Sequence, residues 1–279
     1  MKEKLNIPDE HDGSVWLYQY TGPRIHHIHR HDELEVNLCT RGRATYLVDD
    51  KRYDLRRGTQ IWLFPEQNHL LLDRSTDYEM WILVWKDRLL KAVCTTPQSR
   101  VLLETKAPAD FCKPLPEHQT ARLNLLFQEV RDAKADVARY NCGLGYCALV
   151  SWALHAADQR ITPSYDIHPA VEKAARLIQD EREALGLEEL AKRAGLSASR
   201  LSRLFKEQTG VSLVDYRNKQ RLQRFFSLYQ QGRRKNMIAA ALEAGFGSYP
   251  QFHRIFKEQM KFGPAEYRRK VGETNGREA

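Results

Sequence analysis

Ala191-Lys192-Arg193-Ala194-Gly195-Leu196, then Leu201-Ser202-Arg203-Leu204-Phe205-Lys206-Glu207-Gln208, then Tyr216-Arg217, is a phrase that this chain writes twice. It returns as Ala241-Leu242-Glu243-Ala244-Gly245-Phe246, Phe252-His253-Arg254-Ile255-Phe256-Lys257-Glu258-Gln259 and Tyr267-Arg268. The offset is 50 before the turn and 51 after it, so the second copy carries one extra turn residue. Each copy spells helix, glycine turn, helix. A short first helix buries Leu190 and Ala191, or Ala240 and Ala241. Gly195 and Gly245 end it, where a positive φ is often needed. Ser197 caps the next helix, and Ser248 does so in the second copy with Pro250 in the first turn. That second helix buries Leu201, Leu204 and Phe205, or Phe252, Ile255 and Phe256.

The opposite face of the second helix then carries Ser199, Arg200, Ser202, Arg203 and Lys206 in one copy. In the other it carries Tyr249, Gln251, His253, Arg254 and Lys257. Arginine can grip guanine and glutamine can grip adenine, each through two hydrogen bonds. The lysines lie further along and suit phosphate. A single exposed arginine is ordinary solvated surface, but the same Arg-x-x-Lys pattern on two matched helices points to double-stranded DNA. Between the copies, Leu213 to about Gln231 reads as one amphipathic helix through Leu222, Phe225, Phe226 and Tyr229. Its length is roughly 27 Å, against about 34 Å between successive major grooves on one face of a duplex.

Charge supports the division. The net charge is +8, with 44 Lys and Arg against 36 Asp and Glu. Residues 1–165 carry 22 of each sign, so the whole excess lies in 166–279, with 22 against 14. A neutral part joined to a basic one fits a polyanion-binding module, the alternative being a lysine-rich surface kept for solubility. No run of about 18 apolar residues exists, so no membrane span is expected. The first residues lack the apolar stretch of a secretory signal. The five cysteines are scattered and form no C-x-x-C pair, as in a reduced, cytoplasmic protein.

Residues from about 170 to 270 resemble the DNA-binding domain of the AraC/XylS family of bacterial transcription regulators. The glycine turns carry the resemblance, with Arg203-Phe205-Lys206, Arg254-Phe256-Lys257, Arg221, Gly245-Phe246, Pro264 and Tyr267-Arg268. It departs from the family at Phe225, where Ala is usual, at Ala240, where Ile is usual, and at Lys261, where Gly follows the second recognition helix. The resemblance implies a homodimer and a partner in RNA polymerase, with activation the expected mode.

Before this part, Val15 to about Trp85 reads as short strands broken by turns. Glu35–Cys39, Thr45–Val48 before a turn at Asp49-Asp50, Gln60–Phe64 and Met80–Trp85 are the clearest. Their spacing predicts an antiparallel sandwich or barrel. Helical periodicity takes over after Pro116, through Leu123, Leu126, Phe127 and Val130. A helix from about Leu144 to Ala157, apolar on more than one face, fits either a dimer seam or packing on its own barrel. Pro163, Ser164 and Pro169 mark the linker. The expected fold is α+β and multidomain: a barrel over 1–105, a helical dimerisation segment over 106–162, an all-α domain of two helix-turn-helix units over 163–272, and a polar tail over 273–279.

His29-x-His31-x3-Glu35-x6-Gly42 resembles the first motif of the cupin barrel. Gly58, Phe64-Pro65 and His69 follow where the second motif would lie, with Phe64 and Glu66 in its usual Pro and Gly positions. Residues of equal parity on a strand share a face, so His29, His31 and Glu35 can point into the barrel. The favoured role is to line a pocket for a small effector, possibly a sugar, with Arg24, Asn37, Trp62, His69 and Trp81 joining them. No cofactor is required. A divalent metal on His29, His31, Glu35 and His69 is the lesser alternative. The reading is of a ligand-responsive regulator rather than an enzyme. The rival is a metal-dependent cupin enzyme with a basic appendage.

Overall fold

Met80-Trp81-Ile82-Leu83-Val84-Trp85 reads as an unbroken apolar run because its strand is covered on both faces. The computed structural model describes residues 3–19, 29–179, 185–231 and 236–275. They form two compact units, the first ending at Ile167 and the second starting at His168.

The first unit holds β1 (Gly13–Gln19), β2 (Leu34–Arg41), β3 (Arg43–Val48), β4 (Lys51–Arg56), β5 (Thr59–Leu63), β6 (His69–Arg74) and β7 (Glu79–Trp85). Next come α1 (Asp87–Val93), a short 3-10 turn (Arg100–Leu103), β8 (Cys112–Pro114), α2 (Glu117–Asp132), α3 (Val137–Ala157) and β9 (Ser164–Asp166). The strands make two antiparallel sheets, ordered β1-β7-β2-β5-β8 and β6-β3-β4-β9. The architecture is cupin-like, but among the described residues the two sheets stay separate, so the expected barrel is an open sandwich. The β3–β4 hairpin turns at Asp49-Asp50 with Asp49 at φ 50, a left-handed conformation that Asp tolerates.

Sheet parity decides what faces where. On β7, Trp81 and Trp85 face the helices: the Trp81 indole donates to Asn124 on α2 (2.7 Å) and the Trp85 indole to the Leu144 carbonyl on α3 (2.8 Å). Met80, Ile82 and Val84 face the other sheet. The sheet continues beyond residue 105: β8 adds to β5, and β9 adds to β4 inside the stretch expected to be linker. Segment 106–162 is therefore part of the first unit and not a separate module. α3 starts seven residues before the apolar pattern does, capped by Asp136, whose side chain accepts from the Arg139 amide (3.1 Å). Of its two expected packings, the structure shows the one on its own sheet. Tyr140, Leu144, Cys147, Ala148 and Trp152 join the core of the first unit.

The second unit is all α: α4 (Pro169–Gln179), α5 (Leu187–Ala194), α6 (Ala198–Thr209), α7 (Leu213–Gln231), α8 (Met237–Glu243), α9 (Tyr249–Met260) and α10 (Pro264–Asn275). Small residues Ala240 and Ala241 are fully buried under Phe225, Phe252 and Phe256. Among the described residues no helix is long and apolar enough to cross a membrane.

Candidate nucleic-acid interface and sensor cavity

The two helix-turn-helix units are built by the same hydrogen bonds. After α5, the Leu196 amide donates to the Ala191 carbonyl (3.0 Å) while Gly195 sits at φ 81. After α8, the Phe246 amide donates to the Ala241 carbonyl (3.2 Å) with Gly245 at φ 92. Both are six-to-one helix endings that turn the chain sharply. Ser197 then accepts from the Arg200 amide, and Ser248 from the Gln251 amide, both at 3.3 Å. Phe205 packs on Tyr216 (5.4 Å between centroids) and Phe256 on Tyr267 (5.6 Å). The repeated Tyr-Arg pair thus places its tyrosine on the recognition helix in both copies.

On α6, Ser199, Arg200, Arg203 and Lys206 are exposed and Ser202 is half-buried. On α9, His253, Arg254 and Lys257 are exposed, while Tyr249 and Gln251 are half-buried. Arg203 and Arg254 are equivalent in surroundings as well as position. Each lies near a glutamate one turn on, Glu207 at 3.8 Å and Glu258 at 3.7 Å. Such exposed pairs hold less than about 1 kcal/mol and yield readily to phosphate or a base edge. Gln251 differs from its expected role. Its Oε1 accepts from the Gly247 amide (2.9 Å), bracing the longer second turn. An adenine-reading glutamine needs that oxygen free, so here Gln251 shapes the turn.

Behind these surfaces, the Arg217 guanidinium donates to the Leu185 carbonyl. Burial lowers the pKa of Arg217 and also of Arg221. Both sit half-buried along α7, which positions the two units.

The sensor cavity lies between the sheets of the first unit. Glu35 and Asn37 project inward from β2, where Asn37 donates to Glu35 Oε1 (2.7 Å) and to the Tyr46 hydroxyl on β3 (3.2 Å). His31 Nε2 lies 3.0 Å from Glu35 Oε2. His29 and His69 are joined as an antiparallel bridge, amide to carbonyl in both directions at 3.2 and 2.9 Å. This sets their rings 4.3 Å apart, with His31 5.3 Å from His69. Burial alone would raise the Glu35 carboxyl, but the hydrogen bonds from His31 and Asn37 outweigh it and bring it down to about 2. Burial brings His69 down to about 3. His31 is raised: burial opposes its charged form, and Glu35 and Glu33 more than restore it.

The structure thus unites His29, His31, Glu35, Asn37 and His69. It separates them from Trp62 and Trp81, which face the helices: Trp62 stacks on Trp85 (5.6 Å) and meets Trp152, and Trp81 meets Phe127. Parity on β5 and β7 puts these indoles on the outer face, so they are core and not cavity lining. Arg24 lies outside the described residues. Tyr46 is an interior residue that the sequence reading passed over. It shares the expected strand with Leu47 and Val48, and alternation along that strand does not say which face meets the other sheet.

Comparisons with known proteins bear on both units. The family model described as "Helix-turn-helix domain" matches residues 190–270, and that described as "AraC-like ligand binding domain" matches 15–75. An uncharacterised HTH-type transcriptional regulator of Haemophilus influenzae is 25% identical over 259 residues, covering 84% of this chain and 86% of that one. The arabinose operon regulatory protein of Escherichia coli is 28% identical, over 84% of this chain and 79% of its own. The HTH-type transcriptional activator RhaR of Pectobacterium carotovorum is 26% identical, over 87% and 86%. A ligand-binding half and a doubled DNA-binding half, in that order and along most of both chains, place this protein in the AraC/XylS family of ligand-responsive, sequence-specific transcription regulators.

Proposed function

We propose that this regulator is a cytoplasmic activator, working as a homodimer with RNA polymerase. Its effector is a small polyhydroxylated metabolite, such as a sugar, held between the two sheets. One observation carries the effector reading. Asn37 Oδ1 is buried in the cavity with no hydrogen-bond partner among the described residues, beside the Glu35 carboxylate and the Tyr46 hydroxyl. A buried acceptor left unsatisfied costs about 1–3 kcal/mol, and a ligand hydroxyl supplies the missing donor. Leu125 on α2 and Tyr146 on α3, 68% and 51% exposed, support a dimer contact through those helices. The relative that regulates an arabinose operon supports a pentose among the candidates.

Effector binding moves DNA affinity only by the difference in its affinity for the DNA-competent and incompetent states. The test is a melting and DNA-binding screen of the full chain with pentoses and hexoses. One sugar is expected to raise the melting temperature and shift operator affinity, and Asn37→Ala to abolish both responses. If no sugar moves either quantity, the effector class is wrong.

DNA is read by Ser199, Arg200, Ser202, Arg203 and Lys206 on α6 and by Tyr249, His253, Arg254 and Lys257 on α9. Arg203→Ala or Arg254→Ala should weaken specific binding by about 1–3 kcal/mol and relax base choice at one position. Lys206→Ala should weaken binding evenly across sequences. Unchanged sequence preference in both arginine variants, measured by selection from a random DNA pool, would refute these roles.

A further inference from the structure

We propose that His29, His31 and His69 bind one divalent transition-metal ion, with Glu35 supplying a carboxylate. A ring nitrogen of each histidine lies within 4.8 Å of those of the other two. Donors on one ion with bonds of about 2.1 Å stand roughly 3 to 4.2 Å apart, so the cluster closes on an ion with sub-ångström movement.

The orientation of the rings is more telling than their proximity. The Nδ1 of His69 lies 3.2 Å from the Gln67 carbonyl, and that of His31 lies 2.9 Å from the Glu33 carbonyl. A carbonyl can only accept, so each Nδ1 carries the proton and each Nε2 presents its lone pair to the site. Ring N–H to backbone carbonyl is the outer-shell arrangement that orients metal-bound histidine. The Nε2 of His69 is buried, 3% exposed as a residue, and has no hydrogen-bond partner among the described residues.

The backbone fixes the set. The bridge between His29 and His69 holds two ligands abreast on paired chain segments. Glu35 Oε2 stands 3.0 Å from His31 Nε2, the spacing of neighbouring donors on an ion, and Asn37 anchors its other oxygen at 2.7 Å. Two further carboxylates are near: Glu3 Oε2 is 3.5 Å from His29 Nε2, and Glu33 Oε2 is 3.6 Å from His31 Nδ1. Imidazoles with one buried carboxylate favour zinc, iron, cobalt, nickel or copper over magnesium or calcium.

This names an occupant of the same cavity, and so rests on reading that cavity as a ligand site. Metal uptake is measured without DNA or sugar, so its failure is separable from failure of the effector screen. The full chain, free of any affinity tag and stripped by chelator, is titrated with Zn²⁺ by calorimetry and with Co²⁺ by visible absorption. One ion per chain is expected, with a Co²⁺ spectrum of nitrogen-rich ligation and a raised melting temperature. His29→Gln and His69→Gln should each weaken binding at least about tenfold. Should His69→Gln fail to fold by circular dichroism, His29→Gln decides, since that side chain is 17% exposed at the rim. Absence of stoichiometric uptake, or uptake that survives in His29→Gln, overturns the proposal.

Discussion

Lys261 occupies a position that costs it something. It ends α9 at φ 67, donating its amide to the Lys257 carbonyl, as Gly210 ends α6 at φ 76, donating to the Lys206 carbonyl. A side chain in the left-handed region costs about 1 kcal/mol that glycine avoids. Lys261→Gly should therefore stabilise the second unit by about 1 kcal/mol. Gly210→Ala should destabilise the first helix-turn-helix by a similar amount, since an added Cβ there meets no atom within 4 Å and only the backbone pays. Denaturant midpoints measure both, and a loss of stability in Lys261→Gly would contradict the argument.

A second residue-scale prediction concerns His155, buried at 1% exposure. It lies 2.8 Å from the Asp110 carbonyl and 3.1 Å from the Gln60 side-chain amide. Burial depresses it to about 4, below the roughly 6.5 of an unfolded chain. Between those values the unfolded state binds the extra proton. This contribution is whole above about pH 6.5 and fades as the pH falls towards 4, to the extent of about 3 kcal/mol. His155→Gln should flatten that part of the stability profile, and an unaltered slope in the variant would assign it elsewhere.

At the scale of elements, Phe225 and Ala240 exchange volume. The family places a small residue at the first position and a larger one at the second. Here both sit in one buried cluster, each 0% exposed, with Phe225 stacked 4.6 Å from Phe252. Phe225→Ala alone should cost about 3–5 kcal/mol through the cavity it leaves. Ala240→Ile alone should also destabilise, by overpacking. The double variant should recover part of both losses, and strictly additive costs in the thermodynamic cycle would mean the two sites do not share that space.

The elements also show what was legible beforehand. The helix-turn-helix pair was readable because its signals are local: glycine where φ is positive, serine where amides need a cap, and a Tyr-Arg pair at each end. The three-residue strands β8 and β9 carry no period and were invisible, which is why 106–162 looked like a separate module. Trp62 and Trp81 were aimed at the wrong face because alternation defines two faces without saying which one the helices cover. Gln251 misled because its partner, Gly247, belongs to the inserted turn. The histidine cluster was legible as a motif, but the anchors on Gln67 and Glu33 that orient its rings are backbone carbonyls and leave no mark in the sequence.

For the whole molecule, two independent cores imply separable function. A fragment beginning at residue 166 should fold and keep DNA affinity, and its failure to bind even at low salt would undo the modular reading. All five thiols are free, but they are not equivalent. Burial pushes Cys39, Cys112 and Cys147 up to about 12 and raises Cys94, while Cys142 is exposed. One thiol per native chain should react promptly with a disulfide reagent, and Cys142→Ser should remove that fast phase.

The inserted residue between Gly245 and Ser248 bears on how a promoter must be laid out. Two reading heads follow one another along a single polypeptide, with unequal turns and unlike side chains. Neither can stand in for the other, and no twofold axis relates them. The footprint of one subunit therefore has a head and a tail: inverting the operator presents each helix with its neighbour's bases. Orientation relative to the gene is written into the fold before any partner arrives.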